Sequence, residues 1–307
     1  MTFAQLRAFL AVVRHRSVTG AAAELYVTQP AVSASLAALE RDVGVRLLVR
    51  DKRGVRPTPS GEALAGFAAQ CLGLAEQGRD SAVSAAHPGR GRLRLVAVTT
   101  AGEYVVPRIL KTFQERYPEV DPVLEVGNRA LVLERLLARE ADLGVSGRPP
   151  VEGAVKGRGF LANDLVIVAA PDHPLAGRSG IDPRRLDDTW LLREPGSGTR
   201  STTEEFLARN EVEPRRVLNL GSNGAVKQAA AVGLGVTLIS ARAVALELAA
   251  GTLARLRVRG TPLRRRWFLQ YLEEGFLPGP AQAFLRFASG TAARRAVLAA
   301  RPAVVRR

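Results

Sequence analysis

Three short stretches of the chain set hydroxyls and free backbone amides where a small anion could be held. Thr99 and Thr100 follow the apolar run LRLVAV, Ser146 closes LGVS, and Ser197, Gly198 and Thr199 lie in EPGSGTRSTTEEF, ahead of a helix that a Ser201 to Glu204 capping box would open. Hydroxyls and unpaired amides at helix starts hold carboxylate, sulfate or phosphate without a cation. Each junction alone would be ordinary capping or turn formation. Their shared position, after strands and before helices, points to one site. Arg200 could add a bidentate contact to the anion, or could be a surface arginine.

A second set lies near the N-terminus in TQPAVS. The amide of Gln29 can pair with adenine, Ser33 brings a hydroxyl, and Pro30 and Ala31 are methyl-sized apolar partners for thymine. That is the chemistry of reading base edges. Enzyme chemistry finds no footing: His15, His87 and His173 lie in unrelated segments, and no nucleophile and base pair or paired carboxylates can be nominated. The same histidines give no metal-ligand spacing, so catalytic residues, metal and cofactor are all expected to be absent. GSGTR lacks the Gly-Lys-Ser/Thr of a phosphate loop, and Gly233 to Gly235 follows a helix pattern where a dinucleotide fingerprint would follow a strand.

The elements that must position these residues come in two grammars. Up to residue 57 the spacing predicts three short helices and a basic hairpin. Leu6, Phe9, Leu10 and Val13 mark the first helix, and Ala21, Ala22 and Leu25 the second. Thr28 is a candidate N-cap of the third, with Pro30 in its first turn, Val32, Leu36, Leu39 and Val43 as its buried stripe and Gly44 as its end. Its outward face is Gln29, Ser33, Ala34, Ala37, Glu40 and Arg41, slim enough for the axis to approach base edges. On an isolated helix this would be an ordinary solvent face. The neighbouring segment VRLLVRDKRGVRPTPSG changes the reading, because Arg46, Arg50, Lys52, Arg53 and Arg56 fall within eleven positions around a turn at Asp51 to Gly54. Such a hairpin would grip phosphates, with Arg50 and Arg53 leading, and fix the register of the reading helix.

Thr58 and Pro59 then open a long helix over 59–85, with Leu64, Phe67, Cys71, Leu74 and Gly78 stepping by three and four as a seam for a second copy. Cys71 reads as a packed thiol within that seam. The run from His87 to Gly91 reads as a hinge. Beyond it LRLVAV, PVLEV, DLGVS, DLVIVAA and VTLIS alternate with helix-like stretches such as Val105 to Arg116 and Leu131 to Arg139, implying α/β layers of mostly parallel strands. Ligands in such sheets sit beyond the carboxyl ends of the strands.

Composition agrees. With 307 residues, 47% of them hydrophobic, the chain can build two or three cores, and its single cysteine forbids an intrachain disulfide framework. The opening MTFAQLRAFLAVVRHRSV lacks a signal-peptide pattern and no apolar run is long enough for a bilayer, so a cytoplasmic location with no membrane partner is expected. A net charge of +15 suits polyanions, but only four of 44 basic residues are lysine, a bias that a GC-rich genome would also produce. The clustering of the cations therefore carries the inference.

The block FLAVVRHRSVTGAAAELYVTQPAVSASLAALERDVGVRLLVRDKRGVRPTPSGEAL closely resembles the DNA-binding domain of LysR-type transcriptional regulators. AAAEL, TQPAVS, the pair Leu39 and Glu40, GVRLLVR and TPSGEAL occur in order, and the likeness continues to the Arg-rich tail after Ala292, where no family motif is found. The resemblance implies an α/β protein: an N-terminal winged helix-turn-helix over 1–58, a dimerising linker helix and hinge over 59–88, and a two-lobed periplasmic-binding-protein-like effector domain over 89–292. The chain crosses twice between lobe I, about 92–161 and 266–290, and lobe II, about 162–265; a solvated basic tail fills 293–307. Expected DNA contacts are Thr28, Gln29, Pro30, Ser33, Ser35, Arg50, Lys52 and Arg53. Expected effector contacts are Thr99, Thr100, Asn128, Ser146, Ser197, Gly198, Thr199 and Arg200. The family also implies a homodimer or homotetramer on double-stranded operator DNA, a small anionic metabolite as effector, and RNA polymerase as a further partner. GSGTR and SNGAVKQAAAVGLGVTLIS look most like regulators of carbon fixation and of sulfur assimilation. A transporter's solute receptor, or a sensor without sequence-specific DNA binding, would share the second half but has no use for the basic N-terminal unit.

Overall fold

A computed structural model of the chain describes residues 1–52, 54–87 and 89–298, so that Arg53 among the expected phosphate contacts, Pro88 in the expected hinge and 299–307 of the tail lie outside the described residues. Helices α1 (Phe3–His15), α2 (Val18–Leu25) and α3 (Gln29–Val43) enclose a core of Leu6, Phe9, Val12, Ala21, Ala22, Val32 and Leu39. The two alanines let α1 and α2 lie close. Two expectations for α3 change. Val43 is exposed, because the chain turns at Gly44 (φ 81°) and returns Leu47, 1% exposed, to the place beside Leu39, Leu6 and Phe9. Glu40, read as outward, turns back instead, and its Oε1 accepts from the amides of Leu47 at 2.8 Å and Leu48 at 3.2 Å. The end of α3 is thereby tied to the hairpin that follows.

That hairpin pairs β1 (Leu48–Asp51) with β2 (Gly54–Pro57) in antiparallel register, Asp51 opposite Gly54. It rests on the α1–α2 turn, where the Val55 amide donates to the Arg16 carbonyl at 2.9 Å. A Cβ on Gly54 (φ 108°) would stand 2.6 Å from that same oxygen, so both the turn and the contact require glycine.

Helix α4 (Pro59–Ala86) starts as expected, with Thr58 Oγ1 accepting from the Gly61 amide at 3.0 Å. Its faces are inverted. Phe67 (69% exposed) and Leu74 (54%) point to water together with Cys71, whereas Gln77, Asp80 and Ser84 are buried. Of the expected seam, Phe67, Cys71 and Leu74 therefore lie exposed on the single chain, while Leu64 packs against the Phe9 core. The buried polar face docks on the second half of the molecule: Gly73 approaches the Ala138 carbonyl so closely that a Cβ would stand 2.4 Å from it. Arg94 bonds Asp142 at 2.8 Å and faces Asp80 at 3.7 Å.

The second half runs β3 (Gly91–Val98), α5 (Thr99–Tyr104), α6 (Val106–Arg116), β4 (Val120–Gly127), α7 (Arg129–Leu137), β5 (Leu143–Ser146) and β6 (Val155–Ala162). There follow β7 (Leu165–Ala169), β8 (Ser179–Ile181), β9 (Thr189–Leu192), α8 (Gly198–Arg209), β10 (Arg216–Asn219), α9 (Asn223–Ala231), β11 (Thr237–Ser240), α10 (Ala245–Ala250) and β12 (Ala254–Val258). The chain ends with β13 (Arg266–Leu272), α11 (Gly279–Ser289) and α12 (Thr291–Leu298). One sheet has the order β4-β3-β5-β13-β6, a second β11-β7-β12-β8, and β10 pairs with β9. The cores are separate: Leu95, Ile109, Phe113, Leu143, Trp267 and Phe284 in one body, Ile167, Trp190, Phe206, Leu238 and Leu256 in the other.

Strands are not mostly parallel as expected. β3 runs parallel to β4 and β5, but β13 is antiparallel to β5 and β6, and β7 to β11 and β12. The double crossing is the reason. The chain leaves the first sheet through β6 and returns through β13, which lays them side by side in opposite directions, and the crossing segments themselves touch where the Asn163 amide donates to the Arg265 carbonyl at 2.8 Å. Nor is the tail solvated from its start, since Ala293 and Val297 of α12 are 1% exposed and belong to the first core.

Candidate functional site

Two surfaces carry the nominated residues. On α3, Thr28, Gln29, Pro30 and Ser33 are exposed, as are Ala34, Ala37 and Arg41, while Ser35 is half-buried on the flank. Thr28 occupies the N-cap position, yet its hydroxyl makes no capping bond. Pro30 at the second helical position removes one of the two amides such a hydroxyl would accept from. Gln29 donates from Nε2 to Thr19 Oγ1 of α2 at 2.7 Å. In the hairpin Arg50 and Lys52 are exposed, Arg56 pairs with Asp51, and Arg46 stands 4.0 Å from Glu40. A slim polar helix face beside exposed cations can lie against a duplex, the cations on phosphate and the helix on base edges.

The second surface is a cleft between the two cores, lined by Thr99, Thr100, Asn128, Ser146, Ser197, Gly198 and Thr199 and enclosing about 540 Å³ of unfilled space, its solvent mouth included. The first body contributes from strand ends: Thr99 and Thr100 after β3, Asn128 after β4, Ser146 at the end of β5. Thr99 Oγ1 donates to the Gly127 carbonyl at 3.1 Å, and Asn128 caps α7 by accepting from the Leu131 amide at 2.9 Å. Ser146 is 1% exposed, and its Oγ has no hydrogen-bond partner among the described residues. From the other body, Ser197 occupies the N-cap of α8 with no side-chain capping bond, so its hydroxyl takes up none of the first-turn amides of α8.

The sequence pattern missed the cations. Arg129, Arg193 and Arg265 line the cleft against one carboxylate, Glu194, which Arg193 holds in a two-pronged pair at 2.7 and 2.8 Å. The balance is cationic. Arg265 donates to Thr202 Oγ1 at 2.6 Å and to the Gly198 carbonyl at 3.0 Å, and Arg129 to the Arg148 carbonyl at 3.0 Å. Burial is the main cause holding the Arg265 pKa below the usual arginine range, with Glu205 opposing and Arg129 adding to it. Arg193 and Arg129 follow strand ends, where the rule that found the hydroxyls would also have found them. Arg265 comes from the second crossing, and no local pattern marks it.

Arg200 does not line the cleft, contrary to expectation. Helix α8 begins at Gly198, ahead of the expected capping box, so Ser201 lies inside it and Arg200 points around its side. There it bonds Glu204 and Asn219, each at 2.8 Å. Thr100 has a second task, because its Oγ1 accepts from Asn223 Nδ2 of α9 at 3.2 Å and so joins the two bodies. Alongside, Lys227 of α9 stands 5.4 Å over the Tyr104 ring and 2.6 Å from Glu247. Burial pushes the Lys227 pKa down, but the bonds to Glu247 and Tyr104 outweigh it and leave the value raised.

Residues 3–62 match the bacterial regulatory helix-turn-helix protein, lysR family, and residues 86–293 match the LysR substrate binding domain. The RuBisCO operon transcriptional regulator of Acidithiobacillus ferrooxidans is 39% identical over 287 residues, 93% of either chain. The regulatory domain of CcmR from Synechocystis PCC6803, solved in complex with 2-PG, is 38% identical, covering 64% of this chain and 95% of that one with a TM-score of 0.61. Full-length CbnR, solved with its target DNA, shares the fold at 23% identity and a TM-score of 0.68, over 96% of this chain and 100% of that one. Among the described residues no helix is long and apolar enough to cross a membrane.

Proposed function

The chain belongs to the LysR family of DNA-binding transcriptional regulators, which answer to small-molecule effectors and are not enzymes, and we propose that its effector is a small phosphorylated or sulfated anion bound in the cleft. The observation that carries this reading is the pairing of two cations that form no ion pair among the described residues, Arg129 and Arg265, with a buried hydroxyl, Ser146, that has no hydrogen-bond partner there. An anion accepts from all three, and unlike a neutral solute it also relieves the cost of holding Arg265 charged while half-buried. The 2-PG of the CcmR structure has this chemistry. Thr99, Asn128 and Thr199 complete the polar lining, and the start of α8 at Gly198 borders the same space.

At the other end Gln29, Pro30, Thr28 and Ser33 read base edges in the major groove, with Ser35 at the margin, while Arg50, Lys52 and Arg53 hold phosphates. Two chains pair along the apolar face of α4 to place two reading helices on one operator, in the cytoplasm where chromosomal DNA lies; where the complex activates, RNA polymerase is the further partner. The effector binds one spacing of the two bodies better than another and so biases how the paired helices meet DNA. Thermal melting of the full-length protein with 2-phosphoglycolate, 3-phosphoglycerate, sulfate and uncharged glycolamide tests the reading. A ligand at about a hundred times its Kd adds roughly 2.7 kcal/mol to folded-state stability. The acids raise Tm and the amide does not; equal response to both, or no response to any acid, rejects an anionic effector.

A further inference from the structure

We infer that Thr19, in the first turn of α2, is a positioning residue for base recognition: it restrains the Gln29 side chain, and with Nε2 on the Thr19 oxygen the base that this amide selects is adenine. The inference rests on the reading that α3 enters the major groove. Gln29 is the first residue of α3 and is exposed, so an unrestrained side chain could turn its amide over and exchange donor for acceptor. Thr19 restrains it by accepting from Nε2 at 2.7 Å across ten residues of sequence; a turned-over amide would instead take the Thr19 hydroxyl proton and offer two N–H groups to the two acceptors of guanine, so a guanine preference at that base pair overturns the inference.

What the bond leaves free decides the base. A primary amide has two N–H groups and one carbonyl oxygen. With one N–H on Thr19, a single N–H and the oxygen remain, a donor beside an acceptor. Adenine presents the complement in the major groove, the N7 acceptor beside the N6 donor. Guanine presents two acceptors, N7 and O6, and its O6 would face the Gln29 oxygen with no hydrogen between them.

Thr19 is itself firmly placed. Its helix opens with Ser17 Oγ accepting from the Gly20 amide at 3.2 Å, and its β-branched side chain has few rotamers. Both members of the pair come from helices packed on one core, so the distance between them is set before DNA arrives. The amide of a free glutamine would have to be ordered at the moment of contact.

The test selects bound duplexes from a randomised DNA pool with the full-length protein, followed by sequencing, for wild type, Thr19→Val, Thr19→Ser and Gln29→Ala. Valine keeps the shape and removes the hydroxyl; serine keeps the hydroxyl. Gln29→Ala erases the preference for adenine at one base pair of each half-site, and Thr19→Val lowers it there by about fivefold, the lower edge of what a bidentate base contact confers. Thr19→Ser restores it, and the salt dependence of binding to random duplex is the same in all four proteins. If Thr19→Val keeps the adenine preference that Gln29→Ala loses, or shifts preference at base pairs Gln29→Ala does not touch, the inference is overturned and the reading of α3 stands. If Gln29→Ala changes no preference, both fall together.

Discussion

The face of α3 and the cleft between the two cores are built from the same residue types and prepared in opposite ways. On α3 the hydroxyls of Thr28 and Ser33 stand in water, and one bond to Thr19 is the only restraint found on Gln29 among the described residues. In the cleft most polar side chains are already bonded, Ser146 being the buried exception: Thr99 to Gly127, Thr100 to Asn223, Asn128 to Leu131, Arg193 to Glu194 and Arg265 to Thr202. Their partners explain the contrast. A duplex is a stiff, ordered ligand that organises loose side chains against its grooves, whereas a small anion brings no scaffold and must find one ready. Changes on α3 should therefore alter specificity and spare the fold, and changes in the cleft should reach both ligand and packing.

Arg265→Ala is the sharpest attempt to break that contrast. Losing a charge-assisted contact of about 1.5–3 kcal/mol weakens the anion by roughly ten- to a hundredfold in calorimetry. Operator affinity without effector stays at the wild-type value; if it falls in step, cleft and helix are one cooperative unit and the contrast is false. Ser146→Ala comes next, with about 1 kcal/mol and roughly fivefold weaker binding of the same acid. Because the Ser146 hydroxyl is buried and unpartnered, the free protein melts no lower than wild type, and a clear drop in Tm would assign that hydroxyl a structural bond instead.

On the DNA side Arg50→Ala lowers affinity for all duplexes alike and reduces the salt slope by about one phosphate contact, with the thermal response to anions unchanged. A sequence-dependent loss would move Arg50 from gripping to reading. The smallest effect belongs to Arg200→Ala. Its guanidinium lies on Glu204 and Asn219, so anion affinity shifts by less than about 0.5 kcal/mol, and a tenfold loss would return it to the cleft.

Periodicity and junction grammar made much of this legible from residues alone. Helix α4 was expected over 59–85 and spans Pro59–Ala86, and Thr99, Thr100, Ser146, Ser197, Gly198 and Thr199 do line one cleft. What local pattern could not supply is contact between distant segments. Arg265 reaches the cleft only because the chain crosses a second time, and the antiparallel strands β6 and β13 follow from the same crossing. Val43 fits the helical stripe, but Leu47, after the Gly44 turn, takes its place in the core. Arg200 was misplaced because α8 begins three residues before the serine that looked like its cap, a competition between two serines that spacing does not decide.

The long helix α4 shows Phe67 and Leu74 to solvent and keeps Gln77, Asp80 and Ser84 inside. Water penalises such a stripe on a solitary chain, and the pairing of two copies proposed above would relieve that penalty. Abundance thus becomes an input in its own right: halving the number of molecules per cell thins the paired, operator-competent population more than proportionally, whatever the metabolite level. A dilution series followed by sedimentation would show that dependence directly, and a chain that stayed single and operator-competent at every concentration would exclude it.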